Sequence, residues 1–177
     1  MYQSLNNTGI FLISSIFDLY LMVLCVRLIL AYARANYFNP ITRFVITMTQ
    51  PVIAPLRRYI PTYHGIEYAT LFFIIMLATL KYLIISSLFF SIPGIGLLFV
   101  SAVLSSIKLM LSIFFYSILF GAILSFLTPG ETPLSQVLSQ LSAPILRPFQ
   151  RLIPPVGGFD LSPIPALLIL QVLMRAL

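Results

Sequence analysis

Charged side chains inside apolar stretches are the residues in this sequence whose types and positions could carry chemistry. Asp18 lies in one apolar stretch, and Lys81 and Lys108 lie in two others. A charge inside a membrane is costly unless it is paired or hydrated, so the economical arrangement pairs Asp18 with Lys81 or Lys108. Such a pair is structural, or it is one step of a proton or ion pathway. Because Asp18 is the single acid in these stretches, the structural role, or lysines that snorkel to the interface, is favoured.

Catalytic and metal-binding chemistry has little support. The chain has one histidine, His64, in a connecting segment, and one cysteine, Cys25, in an apolar run. No cluster of His, Cys and acidic residues shows the spacing of metal ligands, and there is no glycine-rich phosphate loop. One cysteine cannot form an internal disulfide. We therefore expect no enzymatic activity, no metal and no cofactor.

The composition indicates that lipid is the solvent for this chain. Of its 177 residues, 60% are hydrophobic and 8% are charged, whereas soluble domains carry about 25% charged residues. The net charge is +6, but the basic residues do not form a face interleaved with stacking aromatics. The expected partner is therefore the lipid bilayer and not a nucleic acid.

Four apolar stretches predict an all-α membrane protein with about four transmembrane helices, at about 10–33, 68–90, within 97–127 and at about 161–177. About 20 residues suffice to cross the hydrocarbon. The third stretch is too long, so it is strongly tilted or begins with a surface-lying or re-entrant piece near 97–106. The fourth is short and requires neighbouring helices or local thinning. Arg27 lies near the end of the first stretch and is expected to snorkel.

The chain matches itself without a gap when it is shifted by 93 residues, the separation of Pro40 from Pro133. The matched pairs are Pro40 and Pro133, Pro51 and Pro144, Pro55 and Pro148, Arg58 and Arg151, Pro61 and Pro154, Gly65 and Gly158, and Glu67 and Asp160. We interpret this register as an internal duplication. The first repeat is 1–92 and the second repeat is 97–177.

Each repeat contains a short amphipathic segment between its apolar stretches, at about 40–50 and 133–142. Asn39-Pro40 and Thr132-Pro133 each supply an N-cap followed by proline at the first helical position. Both segments have one apolar stripe, but about ten residues cannot span a bilayer, so we predict interfacial helices. Arginines cluster in the connecting segments, which places both on the cytoplasmic side and makes the repeats parallel.

Each amphipathic segment is followed in the sequence by a basic, proline-rich stretch, which we predict to be a turn. Its candidate docking residues for a partner or lipid are Pro144, Arg147, Pro148, Arg151, Pro154, Gly157, Gly158 and Asp160, with Arg57 and Arg58 in the first repeat. The structural interpretation is a helix cap, with Asp160 or Ser162 capping the last helix and Arg151 pairing with Asp160. The functional interpretation is a docking surface that uses the arginines.

The run from Pro144 to Pro163 resembles the signature of the YggT family, and the stretch from Pro51 to Glu67 resembles the same signature less closely. In the first repeat Thr62-Tyr63-His64 replaces Pro-Val-Gly, so the second repeat is the favoured binder. The resemblance implies a small bacterial membrane protein, with plastid relatives. It also implies roles around envelope biogenesis, cell division and nucleoid distribution, osmotic tolerance and, in plastids, assembly of haem-containing complexes.

Together these features predict a non-enzymatic scaffold or assembly factor in the bacterial cytoplasmic (inner) membrane. The alternative is a small transporter or channel component linked to osmotic stress. The expected partners are other membrane proteins. A second copy of the chain is also a candidate, because Ser101-x-x-x-Ser105 and Gly121-x-x-x-Ser125 suit close helix packing.

Overall fold

A computed structural model of the chain describes residues 2–88, 94–127, 130–153 and 160–177. These ranges contain six helices: α1 (Tyr2–Tyr32), α2 (Pro40–Arg57), α3 (Tyr68–Leu88), α4 (Ile95–Leu127), α5 (Pro133–Leu152) and α6 (Pro163–Ala176). Within these residues the extended structure is an isolated bridge between Tyr63 and Ile66. The predicted all-helical class is confirmed.

In the described part of the chain, three helices are long and apolar enough to cross a membrane, over Thr8–Tyr32 of α1, Tyr68–Ser87 of α3 and Ile95–Ser125 of α4. The third is one continuous helix of 33 residues, about 50 Å long at 1.5 Å per residue. The chain at 97–106 therefore does not turn back on itself. Helix α6 has 14 residues, about 21 Å, and is shorter than the stretch predicted from the sequence.

Helices α2 and α5 are longer than predicted, with 18 and 20 residues respectively. Both continue through two prolines four residues apart, Pro51 and Pro55 in α2 and Pro144 and Pro148 in α5. A proline removes one helical N–H and crowds the carbonyl four residues earlier, which is why a turn was predicted here. That prediction was wrong as far as Arg57 in the first stretch and Leu152 in the second. Packing of α2 on α1 and α3, and of α5 on α4 and α6, holds each helix across its prolines.

The predicted starts of α2 and α5 are confirmed. The Asn39 side chain accepts a hydrogen bond of 2.9 Å from the Ile41 N–H. Thr132 Oγ1 accepts one of 3.1 Å from the Ser135 N–H, and Ser135 Oγ accepts one of 2.9 Å from the Thr132 N–H. A proline follows each cap at the first helical position. Two N–H groups at the start of α5 are thereby satisfied without an intrahelical partner.

The two predicted repeats, with α1–α3 in the first and α4–α6 in the second, have the same pattern of internal helix contacts. Helix α1 contacts α2 and α3, and α2 contacts α3; correspondingly, α4 contacts α5 and α6, and α5 contacts α6. Between the repeats, α4 packs on α1 and α3, and α5 packs on α1 and α2. The main core includes the fully buried residues Leu24, Cys25 and Ile53.

Candidate functional site

The structure brings Asp18 and Lys81 together across the contact between α1 and α3. Lys81 Nζ lies 2.6 Å from Asp18 Oδ1, and the lysine side chain is 13% exposed against 52% for the aspartate. Lys108 on α4 is exposed and makes no ion pair with any residue in the described parts of the chain. Of the two lysines considered for Asp18, the structure therefore selects Lys81.

A second, buried charge cluster lies near the other end of α1 and was not predicted. Arg27 Nε is 3.1 Å from Glu67 Oε2, with side-chain exposures of 3% and 6%. Arg57 at the end of α2 donates to Glu67 Oε1, and Thr70 Oγ1 donates to Glu67 Oε2 over 2.8 Å. The expectation that Arg27 snorkels was wrong, because a carboxylate within reach stabilises the guanidinium inside the bundle.

The remaining donors of Arg27 point to α2. Nη1 donates to Thr49 Oγ1 over 2.6 Å, and Nη2 donates to Gln50 Oε1 over 3.3 Å. A guanidinium has five N–H donors in one plane, so a single side chain on α1 holds both α2 and the residue preceding α3. Arg27 therefore fixes the position of the amphipathic helix relative to two apolar helices.

A cavity of about 170 Å³ lies beside this cluster. Its lining residues are Arg27, Leu30, Ala31, Ala35, Tyr37, Thr42, Ile46, Gln50, Arg57 and Glu67. Thr42 Oγ1 is buried and has no hydrogen-bond partner among the described residues. Desolvation by burial, followed by the positive charge of Arg27, lowers the pKa of Arg57. The cavity wall thus carries two guanidiniums and one carboxylate.

The predicted docking stretch is helical up to Leu152 and outward-facing. Arg147 and Arg151 on α5, and Arg58 after α2, are exposed and make no ion pair within the described ranges. Pro144 and Pro148 lie inside α5. Pro154, Gly157 and Gly158 fall outside the residues that the structure describes.

Asp160 contacts Gln150 and not Arg151, so the predicted pairing was wrong. Gln150 Nε2 donates to Asp160 Oδ2 over 2.9 Å, and the Ser162 N–H donates to Oδ1 over 2.9 Å. Desolvation alone would raise the pKa of Asp160, but hydrogen bonds from Ser162 and Gln150 outweigh it and the net shift is downward. Ser162 is the N-cap of α6 but its side chain makes no capping bond, so Asp160 orders the start of α6.

The same contact recurs in both repeats at the 93-residue register. Arg57 corresponds to Gln150 and Glu67 to Asp160, and in each pair the first side chain donates to the second. In the first repeat the contact is an ion pair with a buried acid, whereas in the second it joins two exposed side chains. Arg27 has Phe120 as its counterpart, and among the described residues the buried charge cluster lies in the first repeat.

A sequence signal for the missed pair did exist. Arg27 lies six residues before the predicted end of the first apolar stretch at 33, and Glu67 immediately precedes the next stretch. Two successive antiparallel helices place such positions at similar depth. The register with Asp160 gives Glu67 a counterpart in the second repeat but does not indicate its contact with Arg27.

The apolar helices and the charge-poor composition define an integral membrane protein of the helical class. The sequence profile of the CCB3/YggT family matches residues 6–88 and 100–177, and the chain therefore belongs to this family. The resemblance inferred from the proline, glycine and arginine pattern is confirmed.

Bacterial relatives cover most of the chain. An uncharacterized Vibrio alginolyticus protein in the proC 3′ region is 41% identical over 162 residues, which cover 88% of this chain and 85% of that protein. The uncharacterized Escherichia coli K12 protein YggT is 36% identical over 167 residues, covering 94% and 87% respectively. An uncharacterized Pseudomonas aeruginosa protein is 36% identical over 176 residues, covering 96% and 87%. No solved structure matches the chain.

Proposed function

We propose that this protein is a non-enzymatic scaffold or assembly factor of the bacterial inner membrane, whose partners are other membrane proteins of the envelope or division machinery. The observation that carries the proposal is the contact between α2 and α5. Asn39 Nδ2 donates to the Pro133 carbonyl over 2.8 Å and to Gln136 Oε1 over 3.3 Å. This contact joins the two amphipathic helices into one surface, which is the shape that a docking platform requires.

The charge on this surface supports docking. Arg58, Arg147 and Arg151 are exposed at the C-terminal ends of the two helices. Each arginine near an anionic leaflet contributes about 1 kcal/mol. The prolines within α2 and α5 restrict the backbone before any partner arrives, which reduces the ordering entropy lost on binding.

The topology that goes with this function has four crossings, with α2 and α5 in the cytoplasmic interface. The contact between α2 and α5 supports a common side for both helices. The arginines of the connecting segments support the cytoplasmic side. Helix α6 then serves as the fourth crossing, which at 14 residues requires local thinning of the bilayer.

A transporter or channel component is the competing class, and it requires a hydrated route to Asp18. The cavity beside Arg27 does not have Asp18 among its lining residues. Asp18 is instead neutralised by Lys81 at 2.6 Å. Both observations favour the scaffold over a pathway through the bundle.

The test is photo-crosslinking in native membranes with a crosslinking residue at Ser139, which is exposed on α5. The chain that carries only this crosslinking residue should capture a discrete membrane partner. Adding Arg147→Ala with Arg151→Ala should abolish the crosslink, and the double variant should no longer complement a deletion strain. The matched control, Arg147→Lys with Arg151→Lys, keeps the charge and should keep most of the crosslink. If the alanine double variant inserts, folds and complements fully, the basic stretch is only a helix terminus and the proposal fails.

A further inference from the structure

The cavity in the first repeat has an excess of positive charge. Arg27 and Arg57 contribute two guanidiniums to its wall, and Glu67 contributes the single carboxylate. Both carboxylate oxygens already accept hydrogen bonds, Oε1 from Arg57 and Oε2 from Arg27 and Thr70. The local charge is therefore +1, shared by the Arg27 side chain, which is 3% exposed, and the Arg57 side chain, which is 39% exposed. An anion in the cavity would neutralise this excess.

A second feature of the wall, independent of charge, also indicates a ligand. Thr42 is 1% exposed, lines the cavity and has no partner for its hydroxyl among the described residues. Buried polar atoms in folded proteins nearly always have a hydrogen-bond partner. Arg57 uses one N–H group on Glu67, and its other N–H groups have no partner in the described part of the chain. The unused donors thus comprise one hydroxyl and one guanidinium edge.

We propose that this cavity binds one phosphate-type oxyanion, supplied by a phospholipid headgroup or by free phosphate. The unused edge of the Arg57 guanidinium binds one or two oxygens through charge-assisted hydrogen bonds, which arginine forms well with phosphate. The Thr42 hydroxyl donates to another oxygen, and Arg27, whose N–H groups are largely used on Glu67, Thr49 and Gln50, contributes its positive charge. A phosphodiester carries one negative charge, which matches the local excess of +1.

The size and lining of the cavity restrict what enters. A volume of about 170 Å³ lies below the roughly 300 Å³ at which pockets for drug-sized ligands begin, so a nucleotide does not fit inside. Leu30, Ala31 and Ile46 are among the lining residues. Apolar lining together with two arginines suits a lipid phosphate with the start of its glycerol backbone, whereas a free phosphate ion would leave the apolar side chains without a partner.

The second repeat supplies the control for this proposal. At the 93-residue register its counterparts of Arg27 and Arg57 are Phe120 and Gln150, so it lacks both guanidiniums. Since Gln150 donates to Asp160 as Arg57 donates to Glu67, glutamine is accepted by the fold at this place. Arg57→Gln thus removes one of the proposed phosphate ligands while keeping a donor for the acid.

The single, buried cysteine allows binding to be measured directly. Cys25 is 0% exposed, so a maleimide dye reacts only when purified protein unfolds in neutral detergent. The fluorescence of the dye that has reacted with Cys25 is measured while the protein is heated, and it reports the unfolding temperature. The measurement is repeated with added dioleoylphosphatidylglycerol, dioleoylglycerol, sodium phosphate or sodium chloride. Phosphatidylglycerol should raise the unfolding temperature in proportion to the logarithm of its concentration, and dioleoylglycerol should not. Arg57→Gln should weaken the apparent affinity about 10- to 100-fold, and Arg175→Gln, which makes the same charge change on α6, should not.

Each outcome either tests the proposal or identifies the source of the bound phosphate group. A shift with phosphatidylglycerol alone identifies a lipid phosphate, and a shift with sodium phosphate as well identifies a site for the free ion. The proposal is overturned if neither raises the unfolding temperature, if dioleoylglycerol does so equally, or if Arg57→Gln responds like the wild type. Thr42→Val preserves side-chain shape and should weaken the response more mildly, which keeps the test decisive if Arg57→Gln unfolds. Since Arg147 and Arg151 are not involved, the result is independent of the docking surface.

Discussion

Arg27 on α1 and Glu67 before α3 form a buried ion pair, with Nε 3.1 Å from Oε2. Forty positions separate them in the chain, and the pair closes the first repeat around α2. A buried pair contributes little net stability compared with apolar residues, but breaking it by removing one partner is costly. The cluster should therefore respond asymmetrically to substitution.

Glu67→Gln should destabilise the protein by about 3–5 kcal/mol, because two guanidiniums would then face each other without a carboxylate. Reversible unfolding in detergent, followed by the reactivity of Cys25, measures the change. Glu131→Gln, which removes an exposed acid, is the matched control and should leave the transition unchanged. Equal effects of the two substitutions would mean that Glu67 is not part of a buried charge network.

Swapping the two charges of the Asp18–Lys81 ion pair should destabilise the protein less than removing one of them. Asp18→Asn leaves the nearly buried Lys81 ammonium without its partner, so we expect a lower yield of inserted protein and a lower unfolding temperature. The exchange variant, Asp18→Lys with Lys81→Asp, should recover part of both. If Asp18→Asn behaves like the wild type while the exchange variant fails, then the lysine reaches the interface and the pair is dispensable.

Asn39 makes two separable contributions, a helix cap and a contact between the repeats. Asn39→Ser retains an oxygen that can accept from the start of α2 but loses the donor to the Pro133 carbonyl. The Asn36 backbone N–H donates to Gln140 Oε1 over 3.4 Å, so a cysteine pair at these two positions should be joined by a short bis-maleimide in a Cys25→Ala background. With Asn39→Ser the yield should fall by about half or more, since a hydrogen bond contributes about 1 kcal/mol.

Cysteines placed at Thr47 and Ser139 should label from the same face of the membrane. Both positions are exposed, on α2 and α5 respectively, and native Cys25 is buried. A membrane-impermeant maleimide should therefore reach both from the cytoplasmic side in inverted vesicles and neither in intact spheroplasts. Labelling from opposite sides would contradict the parallel-repeat topology.

Asp160 should make a small, acid-sensitive contribution to stability. Because its pKa is lower in the folded protein, its contribution is complete above the ordinary aspartate pKa of 3.8. The contribution is lost as the pH falls through the folded pKa. Unfolding temperatures of the wild type and Asp160→Asn should differ at pH 7 and converge toward pH 3. A constant difference across this range would assign the effect to packing and not to charge.

Local signals in the sequence were sufficient for several elements but not for the site. The caps at Asn39 and Thr132 could be predicted because a cap depends on a side chain two or three residues from its donor. The positions of Arg27 and Glu67 in the sequence indicate a similar depth in the membrane, but their contact depends on how α1, α2 and α3 pack. Pro51 and Pro55 predict a turn for a related reason, because proline locally disfavours a helix. Tertiary packing overrides this preference, and α2 continues through both residues.

The presence of arginine at position 27 and phenylalanine at position 120 has an evolutionary consequence. In a homodimer of identical single-repeat subunits, every substitution occurs in both halves, so a buried guanidinium would have to be tolerated twice. Fusion into one polypeptide lets each half mutate alone. The first half can then keep a buried polar cluster that is costly for stability, while the interior of the second half becomes more hydrophobic. Selection can act on binding in one half and on stability in the other. In single-repeat relatives, the residue at this position should therefore have to serve both halves of the dimer, whereas a fused chain can have a different residue in each half.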